Sequence, residues 1–291
     1  MAAPLCYEGD PLVHHALGHD LRPPARSLPN RTFNYGETLS GDRFLPRFET
    51  PHRSSFPALD ARRIGSRSSI IDVRPMKIVL VRHGHVAGIS PERFRGRADL
   101  ALTELGREQA RLTAGRIAAT WSPIAVYTSP MSRAIDTGDV IASRLGLQSQ
   151  TRRDLNDINY GAWQGLTPDE ARVQFGAEVD LWYRWPHLAR IPGGESLADV
   201  LVRATRLLRA LGDSHGNETI VLVGHDSINR IMLTLALALP LAHYWRLHQD
   251  PCGLSEIDFS ELGLDVRSVN ETYHLGLTAA QHEFSDPGAG T

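Results

Sequence analysis

A β-branched and leucine-rich run from Lys77 to Val81 leads without a break into Arg82, His83 and Gly84. Such a run has the pattern of a strand buried on both faces, which belongs in the middle of a sheet covered by helices on both sides. Packing gives no reason for a guanidinium, an imidazole and a glycine at its end. Open α/β sheets, however, place their ligands at the carboxyl ends of strands. Arg presents a planar fork of donors suited to phosphate oxygens. A neutral imidazole is a competent nucleophile once its tautomer is fixed, and Gly84 would admit a substrate close to the backbone. The bland alternative is a strand end carrying solvated polar residues, so the rest of the chain has to decide.

From Met76 onward strands alternate with helices. Thr103 is placed to cap a helix bearing Glu104 in its first turn and Leu105, Ala110, Leu112 and Ile117 on its apolar face. A second strand is predicted over Ile124–Thr128, ending in Ser129-Pro130-Met131-Ser132-Arg133. Pro130 suits the first turn of the next helix, and Gly146 its end. A short strand is predicted near Gln148–Arg152, then an Asn-, Asp- and Gly-rich loop over Asp154–Thr167. Ser196 is placed to cap a long amphipathic helix through Leu211, and Glu218–Val223 forms another apolar strand ending at Gly224-His225-Asp226. A buried helix over Ile228–Leu239 and strands over Leu254–Phe259 and Leu264–Val269 complete the series. The alternation predicts a three-layer α/β/α sandwich with a mostly parallel central sheet.

Residues 1–75 differ in kind. Proline recurs throughout, no period of 2 or 3.6 is sustained, and 10 Arg nearly balance 8 acids. Such a stretch cannot bury enough apolar surface to offset its ordering entropy, so it is read as a disordered extension to a catalytic domain at 76–291, with Met76 a candidate native start. His14, His15 and His19 within it lack the supporting Cys or carboxylate pattern of a metal site. A net charge of −2 argues against a nucleic-acid partner. Two cysteines cannot build a disulfide framework, no charged-then-apolar leader is present, and the apolar run Ile231–Ala242 is too short to span a bilayer. These features predict a cytoplasmic protein with no membrane partner.

Three strand ends therefore carry Arg82-His83-Gly84, Ser129 to Arg133, and His225-Asp226, and an open sheet brings such ends to one crevice. Two Arg and two His together make a cationic pocket whose natural guest is phosphate. In this arrangement the sequence resembles the histidine phosphatase superfamily, the phosphoglycerate mutase-like family. The resemblance rests on Arg82-His83-Gly84 and on the segments Gly96–Ala110, Thr128–Thr137, Leu155–Gly165, Pro192–Ser196 and Val269–Leu275, in that order. It implies a phosphoglycerate mutase-like fold and a small-molecule phosphomonoester substrate, with no cofactor and no metal; a homodimer is an assembly left open. It also implies that His83 attacks phosphorus and that Arg82, Arg133 and His225 hold the phosphoryl oxygens. Gly84 and Arg95 count as further substrate-binding candidates.

Asp157 falls on the family's acid position, where Glu is more usual, and is the candidate proton donor; its alternative is a turn-forming Asp. Two departures stand out. Asp226 follows the second His, where Gly is frequent; the acid phosphatase branch carries His-Asp there, which makes Asp226 a rival acid, and its bland role is a helix cap. Ile89 stands where many members carry a phosphate-holding Asn, and Asn229, Ser129 and His85 are the candidates to compensate. Trp163, Trp182, Tyr183 and Trp185 lie in a lid-like insertion at about 161–195, where packing is the preferred role. The expected function is a metal-independent phosphomonoesterase working through phosphohistidine. No Pro-rich insertion closes the pocket against water as a mutase requires. A phosphoglycerate mutase-type phosphotransferase is the alternative, and a non-catalytic phosphate-sensing module the third.

Overall fold

The structure is a computed structural model and describes residues 75–89 and 91–278. The expectations for residues 1–74, including His14, His15 and His19, lie outside the described residues. The strands are β1 (Met76–Arg82), β2 (Ala125–Thr128), β3 (Ser149–Thr151), β4 (Thr219–Gly224), β5 (Leu254–Ser260) and β6 (Gly263–Glu271). The helices are α1 (Glu104–Thr120), α2 (Ser132–Leu145), α3 (Pro168–Arg184), α4 (Leu197–His215) and α5 (Asp226–Ala236). The six strands form one sheet in the order β3-β2-β4-β1-β5-β6.

β1 shows why the sheet sits at the centre. Ile78 and Leu80 face a core built with α4 and α5 residues such as Ala204, Leu207, Leu208 and Ile231. Val79 and Val81 face the opposite core, with Ala114 and Ile117 of α1 and Ala134, Ile141 and Ala142 of α2. A strand apolar on both sides thus has helices on both sides, as its sequence demands. On α4 the buried positions 197, 200, 204, 207, 208 and 211 follow helical spacing. Thr103 and Ser196 accept from the backbone as N-caps, Ser196 within a capping box with Asp199, and Gly146 ends α2 in the left-handed region at φ 71°.

The local reading needs correction in two places. Pro130 is not in the first turn of α2. Ser129 stays extended, bonding Val223 O through its amide, and Met131 is the N-cap whose carbonyl receives the first helical amides. Asp226 is not a cap. His225 has the cap backbone conformation, and Asp226 opens α5 with its carboxylate turned four residues on to Arg230. The sheet is parallel from β3 to β1, whereas β5 and β6 form an antiparallel hairpin. The two-residue link Glu261-Leu262 is too short for a crossover.

The segment at 161–195 contains α3 and drives Trp163 and Trp182 into the core, where both are buried. Phe94, Tyr160, Tyr244 and Trp245 surround them, and Tyr183 stacks on Trp245. Packing is the role of these aromatics, Trp185 remaining half exposed. Among the described residues no helix is long and apolar enough to cross a membrane.

Candidate active site

The strand order brings the carboxyl ends of β2, β4 and β1 side by side. Arg82 registers with Gly224 and Thr128 with Val223, and the His83 amide bonds Gly224 O at 3.0 Å. The Arg82-His83-Gly84, Ser129–Arg133 and His225-Asp226 segments therefore share one crevice.

His83 is 1% exposed. Its Nδ1–H donates to Gly84 O at 2.7 Å, because a carbonyl can only accept, and this fixes the tautomer. Nε2 is left with its lone pair, and Arg133 Nε donates to it at 3.2 Å. Burial, followed by the charge of Arg133, holds the imidazole well below its ordinary pKa of 6.5. The ring is neutral at neutral pH and its Nε2 is free of a proton. The His225 ring lies 5.0 Å away, centroid to centroid. Ser129 Oγ hydrogen-bonds His225 Nε2 at 2.6 Å and also takes the Met131 amide at 3.4 Å. Burial and the nearby Arg133 and Arg82 depress this histidine as well.

Arg133 is fully buried and roots its guanidinium in the loop before α1, donating to Ala98 O at 2.8 Å and Gly96 O at 2.7 Å. Arg82 donates to Gln249 O. Arg82 Nε, a donor, and the His225 Nδ1 nitrogen are both buried in this pocket with no hydrogen-bond partner among the described residues. Buried donors without acceptors are rare in folded proteins and mark a place where a ligand oxygen is taken.

Asp157 is brought to the same place, its Oδ2 lying 3.4 Å from Arg133 Nη2 and 4.0 Å from His225 Nδ1. Its Oδ1 accepts from Ser227 Oγ and from the Ile158 amide. Asp226 is engaged differently. Arg230 grips both its oxygens at 2.8 and 3.0 Å, Arg82 approaches to 3.7 Å, and these cations hold its carboxyl below the usual range against the effect of burial.

Other candidates have other duties. A side chain on Gly84 would meet Gly106 O at 2.5 Å, so its missing Cβ serves the close approach of α1, while its amide donates to Thr137 Oγ1. Arg95 is half-buried and bonds Gly88 O; its charge reaches Arg82 and His225. Ser129 bonds His225 and His85 bonds Thr103 Oγ1, whereas the Asn229 amide lies beside Gly224 with its Nδ2 and Oδ1 buried and without hydrogen-bond partners among the described residues.

Several residues here were not visible as site candidates in the sequence. Ser227 and the Gln249 carbonyl are among them, as are Arg230 and Arg203, which is buried on α4 and donates to three carbonyls around Asp157. Their signal is three-dimensional. Among the described residues no group of His, Cys, Asp and Glu is arranged to hold a metal ion.

Residues 78–272 match the family model of the histidine phosphatase superfamily, branch 1. The chain belongs to this superfamily. A histidine phosphatase relative, phosphoserine phosphatase 1 of Hydrogenobacter thermophilus, is 30% identical over 201 residues, covering 69% of this chain and 95% of that protein. The bifunctional protein Rv2228c of Mycobacterium tuberculosis is 35% identical over 204 residues, but the match spans only 55% of its length against 69% of this chain. Among solved histidine phosphatase structures, Bacillus stearothermophilus YhfR aligns with a TM-score of 0.66 at 27% identity, covering 69% of this chain and 99% of YhfR. The mycobacterial glucosyl-3-phosphoglycerate phosphatase Rv2419c aligns with a TM-score of 0.62 at 26% identity, covering 68% and 100%. Phosphatases are thus named among the chain's relatives, and the fold is the phosphoglycerate mutase-like one.

Proposed function

We propose that this histidine phosphatase is a metal-independent phosphomonoesterase that hydrolyses a small phosphorylated metabolite through a phosphohistidine at His83. One observation carries the reading: His83 Nε2 is unprotonated and buried, facing Arg133, in a pocket where Arg82 Nε and His225 Nδ1 are buried without partners. In the first step Nε2 forms a bond to phosphorus as the ester P–O bond breaks. Asp157 gives its proton to the departing alkoxide, which leaves as the alcohol. In the second step water attacks phosphorus, Asp157 takes its proton, and the N–P bond breaks to release phosphate and regenerate neutral His83.

Arg82, Arg133 and His225 surround the transferring oxygens in a site largely closed to water, where electrostatic stabilisation is at its strongest. Asp226 is set aside as the acid because its carboxylate is occupied by Arg230. Relatives named for phosphoserine and glucosyl-3-phosphoglycerate make phosphorylated hydroxy acids the first substrates to try.

The deciding experiment mixes the enzyme with radiolabelled phosphomonoester and stops the reaction in denaturant at alkaline pH, where phosphohistidine survives. Label is expected on wild type and not on a folded His83→Ala variant, whose turnover should fall by about a thousandfold or more. Label retained by the variant, or wild-type turnover, would overturn the mechanism. Exchange between phosphoglycerate isomers faster than phosphate release would replace the phosphatase by a mutase.

A further inference from the structure

We infer that Arg203 and Glu195 form a positioning clamp that aims the Asp157 carboxyl at the leaving-group oxygen; the inference rests on Asp157 acting as the acid. Asp157 sits in a stretch with little regular structure, after a single 3₁₀ turn at Arg153–Leu155. A loop of that kind has no ladder of its own to fix a side chain to the precision proton transfer needs. Its carbonyls are held instead from α4. Arg203 Nη1 donates to Asp154 O at 2.8 Å and Asn156 O at 2.7 Å, and Nη2 to Asp157 O at 3.2 Å. The remaining donors meet one carboxylate, Nε on Glu195 Oε1 at 3.1 Å and Nη2 on Oε2 at 3.3 Å.

Arg203 is buried at 7% exposure, and all five N–H bonds of its guanidinium are thus spent, three on the loop and two on Glu195. Glu195 closes the far side, its Oε2 accepting from the Asn159 amide at 2.9 Å and from Arg97 Nη2 at 3.1 Å. The pair grips the backbone on both sides of Asp157, while Ser227 and the Ile158 amide fix its Oδ1. Only Oδ2 then points toward Arg133 and His225. A lysine at 203 keeps the charge but cannot reproduce the planar five-donor fork.

The test uses the full chain and measures the rate of phosphohistidine formation in single turnovers, with phosphoserine and with 4-nitrophenyl phosphate. An alkoxide needs a proton to leave and nitrophenolate does not. Arg203→Lys is expected to slow phosphorylation from phosphoserine about 10- to 100-fold while changing that from the nitrophenyl ester less than about threefold. Glu195→Gln, which keeps the shape but only one of the two accepting oxygens, should show the same split and guards against a folding defect at 203. Asp157→Asn is run alongside. If it slows both substrates alike or neither, the acid assignment fails and the clamp with it. If it splits them but both clamp variants slow them in parallel, or not at all, the clamp alone is overturned.

Discussion

Arg133 Nε donates to His83 Nε2 across 3.2 Å, so the atom proposed to attack phosphorus is held by the guanidinium proposed to grip the phosphoryl group. The contact keeps the lone pair oriented and the ring neutral, and substrate binding must exchange it for a phosphoryl contact. The proposed nucleophile and its proposed electrostatic partner are thus one hydrogen-bonded unit.

Replacing Arg133 with Met is therefore expected to do two things at once. It removes a donor to the transferring group, at a loss of about 100- to 1000-fold in kcat/KM. It also removes the largest charge holding His83 below its ordinary value of 6.5. The acid limb of the residual kcat/KM profile, which reports the free enzyme, should move to higher pH. A profile whose acid limb stays in place would show that Arg133 does not govern His83.

Stability should follow the same two rings. His83 and His225 are buried and neutral in the fold, both held well below 6.5, whereas in the unfolded chain each takes up a proton near that value. Below about pH 6.5 the unfolded state thus binds more protons, and stability falls as pH drops further; above it the contribution is fully present. Each ring adds up to about 1.4 kcal/mol per pH unit in that window. Urea unfolding at about pH 7 and about pH 5.5 should show this decline, and a His225→Gln variant a shallower one. An unchanged slope would mean that the ring is charged in the fold.

Much of this was legible along the chain. β1 announced itself because its two faces are both apolar, and a strand of that kind has one place to go; the caps at Thr103 and Ser196 and the stop at Gly146 followed from local chemistry alone. The pocket residues were legible because three strand ends shared one kind of polar chemistry. What stayed hidden depends on contacts distant in sequence. The Gly84–Gly106 approach joins a strand end to a helix, and Arg203 reaches a loop 46 to 49 positions earlier. Arg82 is held by a backbone carbonyl of Gln249, an acceptor every residue carries. Asp226 was ambiguous for a related reason, since only its pairing with Arg230 separates an anchored carboxylate from an available acid.

The glycine pair makes a sharp test of close packing. A Cβ on Gly84 would lie 2.5 Å from Gly106 O, and one on Gly106 would lie 2.2 Å from His85 O. Both obstacles are backbone, which cannot swing aside as a side chain does. Gly84→Ala and Gly106→Ala should each destabilise the protein by about 1–3 kcal/mol, the cost of overpacking a fixed site. Because the carbonyl of Gly84 holds the His83 tautomer, activity should fall further than the loss of folded protein explains. Thermal melts and kcat on the folded fraction check this, and a stable, fully active alanine variant would contradict it.

The two carboxylates beside the histidines separate cleanly by substitution. Asp226 is bound through both oxygens by Arg230 and approached by Arg82, so it neutralises buried cations. Asp157 keeps Oδ2 directed at the pocket. Asp157→Asn should cost about 100- to 10,000-fold in kcat on an alkyl phosphomonoester, the range for a lost general acid–base. Asp226→Asn should cost less than about tenfold in kcat but lower stability by about 1–3 kcal/mol, since Arg230 loses its charged partner in a buried setting. Steady-state kinetics on phosphoserine and urea titration of both variants decide the matter. If the larger kinetic loss belongs to Asp226 and the larger stability loss to Asp157, the roles assigned to the two carboxylates are reversed.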